Sequence, residues 1–458
     1  MIPSPSPAYP TMFGWVGGKL PAGSDGMPYD NFGENVSISG NFALIGAVNF
    51  PYPNLSKAYL YQRTGSGWVE QIKLTGDDGL LFGWAVSLSG TYAMVGAPEY
   101  ALVQNKVFIY HFDGAAWTLA QKITASDDFS WFGQAVSISG DFAIVGAIGQ
   151  AYIFQNTGGQ WTEQTILTAG NDPPRGFGAS VSISGNYAIV GVNDAMSPVA
   201  SPASAYVFFF NGTDWQLQAK LSPGPGIQGG TRQAVSISGD YAIVGEVTAT
   251  FSNTYEGRAY IYHRVGTQWN LLPALQGVPG PQTRFGWSVS IGSDHAVIGD
   301  PFDAADFGAA YVYAYDGTKL AKIKGGGVVA KDRFGLSVST DGAKILVGAP
   351  YQTIGGHYAQ GAAYSYVYVP FPKFAQLLIS KSFAVLPDDM CVAYPMFCVS
   401  GDQWSALSLA EQQLILGVRL HQLASMVTDE ELRQKLQLAA SGLMQIIRSR
   451  GSGAEGRE

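Results

Sequence analysis

Two cysteines in 458 residues, Cys391 and Cys398, both close to the C-terminus, give no disulfide framework, so most of the fold must be held by burial and hydrogen bonding. Charge is scarce as well. Charged residues make up 13%, and the net charge of −8 includes no basic cluster, which excludes the electrostatic footprint of a nucleic-acid binder. No stretch approaches the roughly 18 consecutive apolar residues of a membrane-spanning helix. Residues Met1–Thr11 (MIPSPSPAYPT) have neither a basic start nor an apolar centre, so no secretory leader is expected there. Histidines number five, and no nucleophile elbow, zinc-type His/Cys cluster or phosphate-cradling glycine loop occurs in a suitable context. An enzyme is therefore not expected. A hydrolase with carboxylates brought together at a channel mouth is the reading that would overturn this.

Glycine (58), Tyr (24), Phe (24) and Trp (10) are abundant, and hydrophobic residues reach 47%. Such a chain has ample apolar surface to bury and reads as many short strands joined by tight turns.

An internal repeat fixes the architecture. It begins at Phe32-Gly33, runs through Val36-Ser37-Ile38-Ser39-Gly40 and ends at Gly46-Ala47. It returns from Phe82-Gly83, Phe132-Gly133, Phe177-Gly178, Phe285-Gly286 and Phe334-Gly335, and once, with Thr231-Arg232 replacing Phe-Gly, through Val235 to Gly245. The equivalent valines (36, 86, 136, 181, 235, 289 and 338) count seven copies. Each copy reads as four strands: Val-Ser-Ile-Ser, a Ser-Gly-Asn/Asp turn into a doubly apolar Tyr-Ala-Ile-Val-Gly strand, an aromatic strand such as Ala58-Tyr59-Leu60-Tyr61, and an outer strand opened by Trp68, Trp117, Trp161, Trp215 or Trp269. Four-stranded units of this length stack into a β-propeller. The seventh copy has no fourth strand after Val369, whereas Gly14-Trp15-Val16 through Lys19-Leu20 matches Gly67-Trp68-Val69 through Lys73-Leu74. The expected fold is all-β: a seven-bladed propeller over 12–370 whose last blade is closed by the N-terminal strand.

These motifs resemble the FG-GAP repeat, known from the head of integrin α subunits and from extracellular bacterial proteins. The resemblance spans roughly residues 12–370 and implies a propeller that engages ligands through one face, in an extracellular or cell-surface setting. Calcium-binding members carry an Asp/Asn loop between the first two strands. Here that connection is a short turn such as Ser139-Gly140-Asp141, with too few oxygens for the 6–8 ligands Ca²⁺ prefers.

The turns between strands one and two and between three and four should share one face and are uniformly short. The connections from strand two to three and from blade to blade share the other face and vary widely, which marks it as the functional one. Its aromatics include Tyr29, Phe50, Tyr52, Tyr100, Phe129, Trp131, Phe251, Tyr255, Phe302, Tyr351 and Tyr358, and Tyr and Trp suit recognition surfaces. Trp84 and Trp287, just after Phe-Gly, are placed at the channel mouth or between blades. The candidate ligand-binding residues are Tyr52, Trp84, Tyr100, Trp131, Tyr255, Trp287, Tyr351, His357 and Tyr358; covering the end of a blade is the competing role for each. Asp300, Asp303 and Asp306 are the candidate ligands for a hard cation such as Ca²⁺, with turn-forming aspartates as the alternative; no other cofactor is expected. His111, His263 and His295 occupy repeat positions and read as packing.

After a linker at 371–405, capping boxes at Ser408–Glu411 and Thr428–Glu431 with apolar periodicity predict an α-helical hairpin over 406–449, followed by a disordered 450–458. Such a hairpin must pack on the propeller or on another subunit, so residues 371–449 are the candidate segment for homo-oligomerisation or anchoring. Cys391 and Cys398 can pair in an oxidising compartment or remain buried thiols. The expected function is non-enzymatic recognition of a glycan or a protein surface through the variable face. A structural or adaptor role in a larger assembly is the alternative.

Overall fold

The computed structural model describes residues 15–21, 23–49, 56–65, 67–76, 81–98, 105–127, 131–170, 176–193, 205–222, 233–247, 250–251, 254–255, 257–278, 283–303 and 307–368. The expected linker, helical hairpin and tail, with both cysteines, lie outside the described residues. Among the described residues no helix is long and apolar enough to cross a membrane. The chain divides into two compact units, Lys19–Tyr366 and, separately, the chain ends Met1–Gly18 with Val367–Glu458. Of the second unit, residues 15–18 and 367–368 are described, all of them in strands.

Seven four-stranded antiparallel sheets form the blades. Blade one runs from the inner strand Phe32–Ser39 through Phe42–Ala47 and Lys57–Thr64 to the outer strand Gly67–Thr75. Blades two to six repeat that order between Ala85 and Ile323. Blade seven consists of Val338–Thr340, Lys344–Ala349, Ala362–Tyr368 and, as its outer strand, Trp15–Lys19. The closure read from the sequence is thus present. The Leu20 N–H donates to the Ala363 carbonyl at 2.8 Å. Leu20 is buried in one apolar cluster with Leu346 and Ala363 of blade seven and Phe32, Val36 and Tyr59 of blade one.

The repeated residues act where blades meet. Phe82, Phe132, Phe177, Phe285 and Phe334 have no exposed surface. Each sets its ring edge-on to the third-strand aromatics of its own blade, as Phe132 does on Tyr152 at 5.2 Å. The first serine of Val-Ser-Ile-Ser spans to the next blade. The Leu88 N–H donates to Ser37 Oγ, Ile138 to Ser87, Ile183 to Ser137, Ile237 to Ser182, Ile291 to Ser236 and Thr340 to Ser290. The Ile38 N–H donates to Ser339 Oγ at 3.1 Å, which completes the circle from blade seven to blade one. The motif glycines let backbones meet: a Cβ on Gly348 would overlap the carbonyl oxygen of Gly33 in the neighbouring blade.

Candidate functional site

The two faces differ as expected. On one, the strand-one-to-two turn of blades one to five is tied to the three-to-four turn of the same blade: the Arg63 N–H donates to the Asn41 carbonyl, Phe112 to Thr91, Asn156 to Asp141, Phe210 to Asn186 and Arg264 to Asp240. The other face carries the long connections and, among the described residues, six non-glycine residues with left-handed backbone: Tyr29, Asn31, Trp131, Lys331, Arg333 and Ala359.

Two segments leading into a Phe-Gly share one construction. In Tyr29-Asp30-Asn31 and Lys331-Asp332-Arg333 the outer residues have φ of 64°, 50°, 77° and 60°, while the central aspartate is buried. Asp30 accepts the Met27 N–H at 2.7 Å and Asp332 the Val329 N–H at 2.9 Å, so each carboxylate closes its own turn. Asp30 also pairs with Lys57 Nζ at 3.2 Å, and Lys57 reaches Asp25 at the same distance. Burial disfavours the charged Asp25 carboxylate. Hydrogen bonds from Tyr59 and Lys73 and the nearby Lys57 charge outweigh it and bring the group down to about 2. Gln352 binds Asp332 and Tyr364 in the corresponding place beneath blade seven.

Above this polar layer, the long connection of blade seven is an ordered hairpin. Ile354 and His357 exchange backbone hydrogen bonds across Gly355-Gly356, whose φ values of 59° and 89° fit the turn type that matches strand twist. His357 and Tyr358 are exposed at its end. The Tyr29 N–H donates to the Tyr358 carbonyl at 2.9 Å, and the two rings meet edge to face at 5.5 Å. Tyr351 is also exposed. Blades seven and one thus present Tyr29, Tyr351, His357 and Tyr358 on fixed backbone.

Blade six holds the second cluster. Asp300 is wholly buried; its Oδ1 accepts the N–H groups of Arg284 (2.9 Å) and Phe302 (3.2 Å), and Oδ2 is buried without a hydrogen-bond partner among the described residues. Burial, opposed by those two bonds and assisted by the nearby Asp303 charge, raises its carboxyl to about 6. Asp303 pairs with Lys322 Nζ at 2.6 Å. The structure therefore brings Asp300 and Asp303 together, with Asp306 outside the described residues. Of the oxygens they present, Asp300 Oδ1 already binds two amides and Asp303 Oδ2 is paired with an ammonium. Among the described residues no group of three His, Cys, Asp or Glu side chains converges.

Over Asp300 lies Phe302, with the Arg333 guanidinium 3.6 Å and the Arg284 guanidinium 4.3 Å from its ring centroid, and Trp287 at 5.8 Å. Trp84 and Trp131 form a third pair at 5.9 Å between blades two and three, and the side-chain amide of Asn35 donates to the Trp84 carbonyl. Both tryptophans are half-buried, as is Trp287. Tyr255 lies in a short hairpin with Thr250–Phe251, its side chain outside the described set, as are Tyr52 and Tyr100 entirely.

The histidines at repeat positions do pack: His111 on Tyr92 at 4.6 Å and His263 on Tyr241 at 4.5 Å, while buried His295 contacts Asp294 and Thr340. Arg284 and Arg333 are not among the residues expected from the loop aromatics. Their signal was there, since Arg-Phe-Gly occurs at both 284–286 and 333–335. The face can offer aromatic surface and guanidinium donors.

A family model described as FG-GAP repeat matches the chain at residues 18–61, 68–109, 117–159, 161–208, 280–313 and 318–368, more than half its length. The unmatched stretch between 208 and 280 holds the copy that has Thr231-Arg232 in place of Phe-Gly. No curated protein matches the chain.

Proposed function

The chain belongs to the FG-GAP repeat family, and from that premise we propose that its propeller is a non-enzymatic recognition module that binds a glycan or a protein surface through the face of long connections. The observation that carries this reading is the crest of blades seven and one. Tyr358 is 58% exposed and Tyr29 43% exposed, yet each is held by backbone bonds and by the other's ring. An exposed ring gains nothing for the fold by being fixed, whereas a binding surface gains because its ordering entropy is lost before the ligand arrives. Among the described residues the opposite face has short turns, bound to one another in blades one to five.

The test is a glycan array, run beside adhesion to immobilised extracellular proteins, with the full chain and with Tyr29→Ala and Tyr358→Ala. Binding should fall about tenfold or more in either variant at unchanged melting temperature. Equal binding by all three proteins, or none by the full chain on both surfaces, sinks the reading.

A further inference from the structure

We propose that the ligand of this face is a protein surface with an apolar centre and an acidic rim, docked on the connections of blades six, seven and one; this rests on the recognition reading above and chooses between its two ligand classes. Met27, Tyr29, Phe307, Val329, Tyr351 and Tyr358 are six of the thirteen large hydrophobic side chains exposed among the described residues, and all six lie on this one sector. The other seven are spread around the ring, four of them on outer strands. Apolar residues exposed singly are ordinary on a surface, whereas a gathered set marks an interaction site.

The sector is polar within and apolar without. Asp30, Asn31, Asp332, Gln352 and Gln360, carried by the same connections, are all buried. Asp30 accepts the Met27 N–H and Asp332 the Val329 N–H, while Asn31 donates to the Val48 carbonyl at 2.9 Å and Gln352 to the Gly327 carbonyl at 3.3 Å. Asp25, which is exposed, is engaged by Lys57, Lys73 and Tyr59. A saccharide is oriented by placed polar groups that reach its hydroxyls, and here these carboxylates and amides are turned inward or held. Met27 and Val329 offer a hydroxyl nothing, whereas the apolar core of a protein interface gains from each such side chain it covers. The connections are also fastened to one another. The Tyr29 N–H donates to the Tyr358 carbonyl, the Gln352 amide to Asp332 and the Phe334 N–H to the Phe307 carbonyl at 3.3 Å, so the surface is formed before a partner arrives. At its edge Lys324 and Lys331 are exposed and make no ion pair among the described residues, which favours a partner whose rim is acidic.

The experiment selects a phage-displayed library of random peptides on the immobilised full chain and titrates the enriched peptides, made synthetically, at two salt concentrations. Peptides with an apolar centre flanked by Asp or Glu should be enriched and should bind more weakly as salt rises. Met27→Ser, Val329→Ser and Tyr358→Ala should each lose about tenfold or more in affinity, and Lys331→Gln should flatten the salt dependence. Val265→Ser, at a side chain also exposed but on the opposite face, should bind as the parent does, and unchanged melting curves show that the variants fold. A selection that enriches nothing, enriched peptides without the apolar and acidic pattern, no loss in the Met27 and Val329 variants, or an equal loss in Val265→Ser overturns the docking surface. If instead a glycan-array signal is lost in Tyr29→Ala and Tyr358→Ala but kept in Met27→Ser and Val329→Ser, the recognition reading stands and only the protein partner falls.

Discussion

Asp300 offers a measurement whose sign and size both follow from its surroundings. Its carboxyl is raised from 3.8 to about 6, chiefly by burial. The folded state therefore holds the proton more tightly than the unfolded chain. Below the unfolded value the group costs nothing. As pH rises through the interval up to about 6, stability is lost, and above it the cost is fully present. A rise of that size corresponds to about 3 kcal/mol, most of which, about 2–3 kcal/mol, develops between about pH 4 and pH 8. The charged groups facing Asp300, namely Asp303 and Lys322, are retained in the variant that tests this.

Asp300→Asn keeps an oxygen to accept the Arg284 and Phe302 N–H groups and removes the ionisation. The new amide N–H₂ lies where Oδ2 has no hydrogen-bond partner among the described residues, which costs about 1–3 kcal/mol at every pH. That offset cancels in the comparison that matters. Urea unfolding of parent and variant across the pH series should show the variant gaining about 2–3 kcal/mol relative to the parent from about pH 4 to pH 8. Asp300→Ala, which abandons both amides, should be the less stable of the two variants throughout. A parent–Asn difference that stays flat with pH, or that moves against the variant as pH rises, refutes the reasoning.

Three further outcomes probe the ring. Ser236→Ala strips the acceptor from the Ile291 N–H and should cost about 1–2 kcal/mol, read from urea midpoints, with the smaller change expected if water enters the channel to replace it. Leu20→Ala hollows the cluster that joins blade seven to blade one and should cost about 2–4 kcal/mol by the same measurement. Gly348→Ala drives a methyl into the Gly33 carbonyl and Ser337 Oγ, so a loss above about 3 kcal/mol or an insoluble product is expected, and near-parent stability would show that the closing seam yields.

The ring was legible because its determinants are local and repeated. Val36-Ser37-Ile38 recurs with its turn glycine and doubly buried second strand, and Gly14–Leu20 echoes Gly67–Leu74 closely enough to reveal the closing strand. What the serines do was not legible, since Ser236 Oγ meets Ile291 across 55 positions and only stacked blades bring them together. Of the site residues, Tyr351, His357 and Tyr358 lie on the face where loop length placed them, while Trp84 and Trp287 turned out to be paired with Trp131 and Phe302. The fixed backbone under Tyr29 and Arg333 left no trace in composition, because the residue in the left-handed conformation is not glycine and the buried aspartate that holds it looks like any turn aspartate.

That last point bears on where ligands should be sought. The inner strands and short turns answer to their neighbours: a serine must meet an amide, a glycine must admit a carbonyl, and a Phe must fit beneath a tyrosine. The connections from strand two to three escape those demands, so blade three crosses with Ile148-Gly149 while blade seven builds a hairpin between Ala349 and Ala362. Of the six left-handed non-glycine residues among those described, Ala359 lies in such a connection and the other five in connections from blade to blade, four of them in the turns around Asp30 and Asp332. At Tyr29, whose side chain is exposed, strain of about 1 kcal/mol would be relieved by glycine. The left-handed backbone at Tyr29 aims its ring at Tyr358, and that is the physical argument for seeking a ligand over blades seven and one.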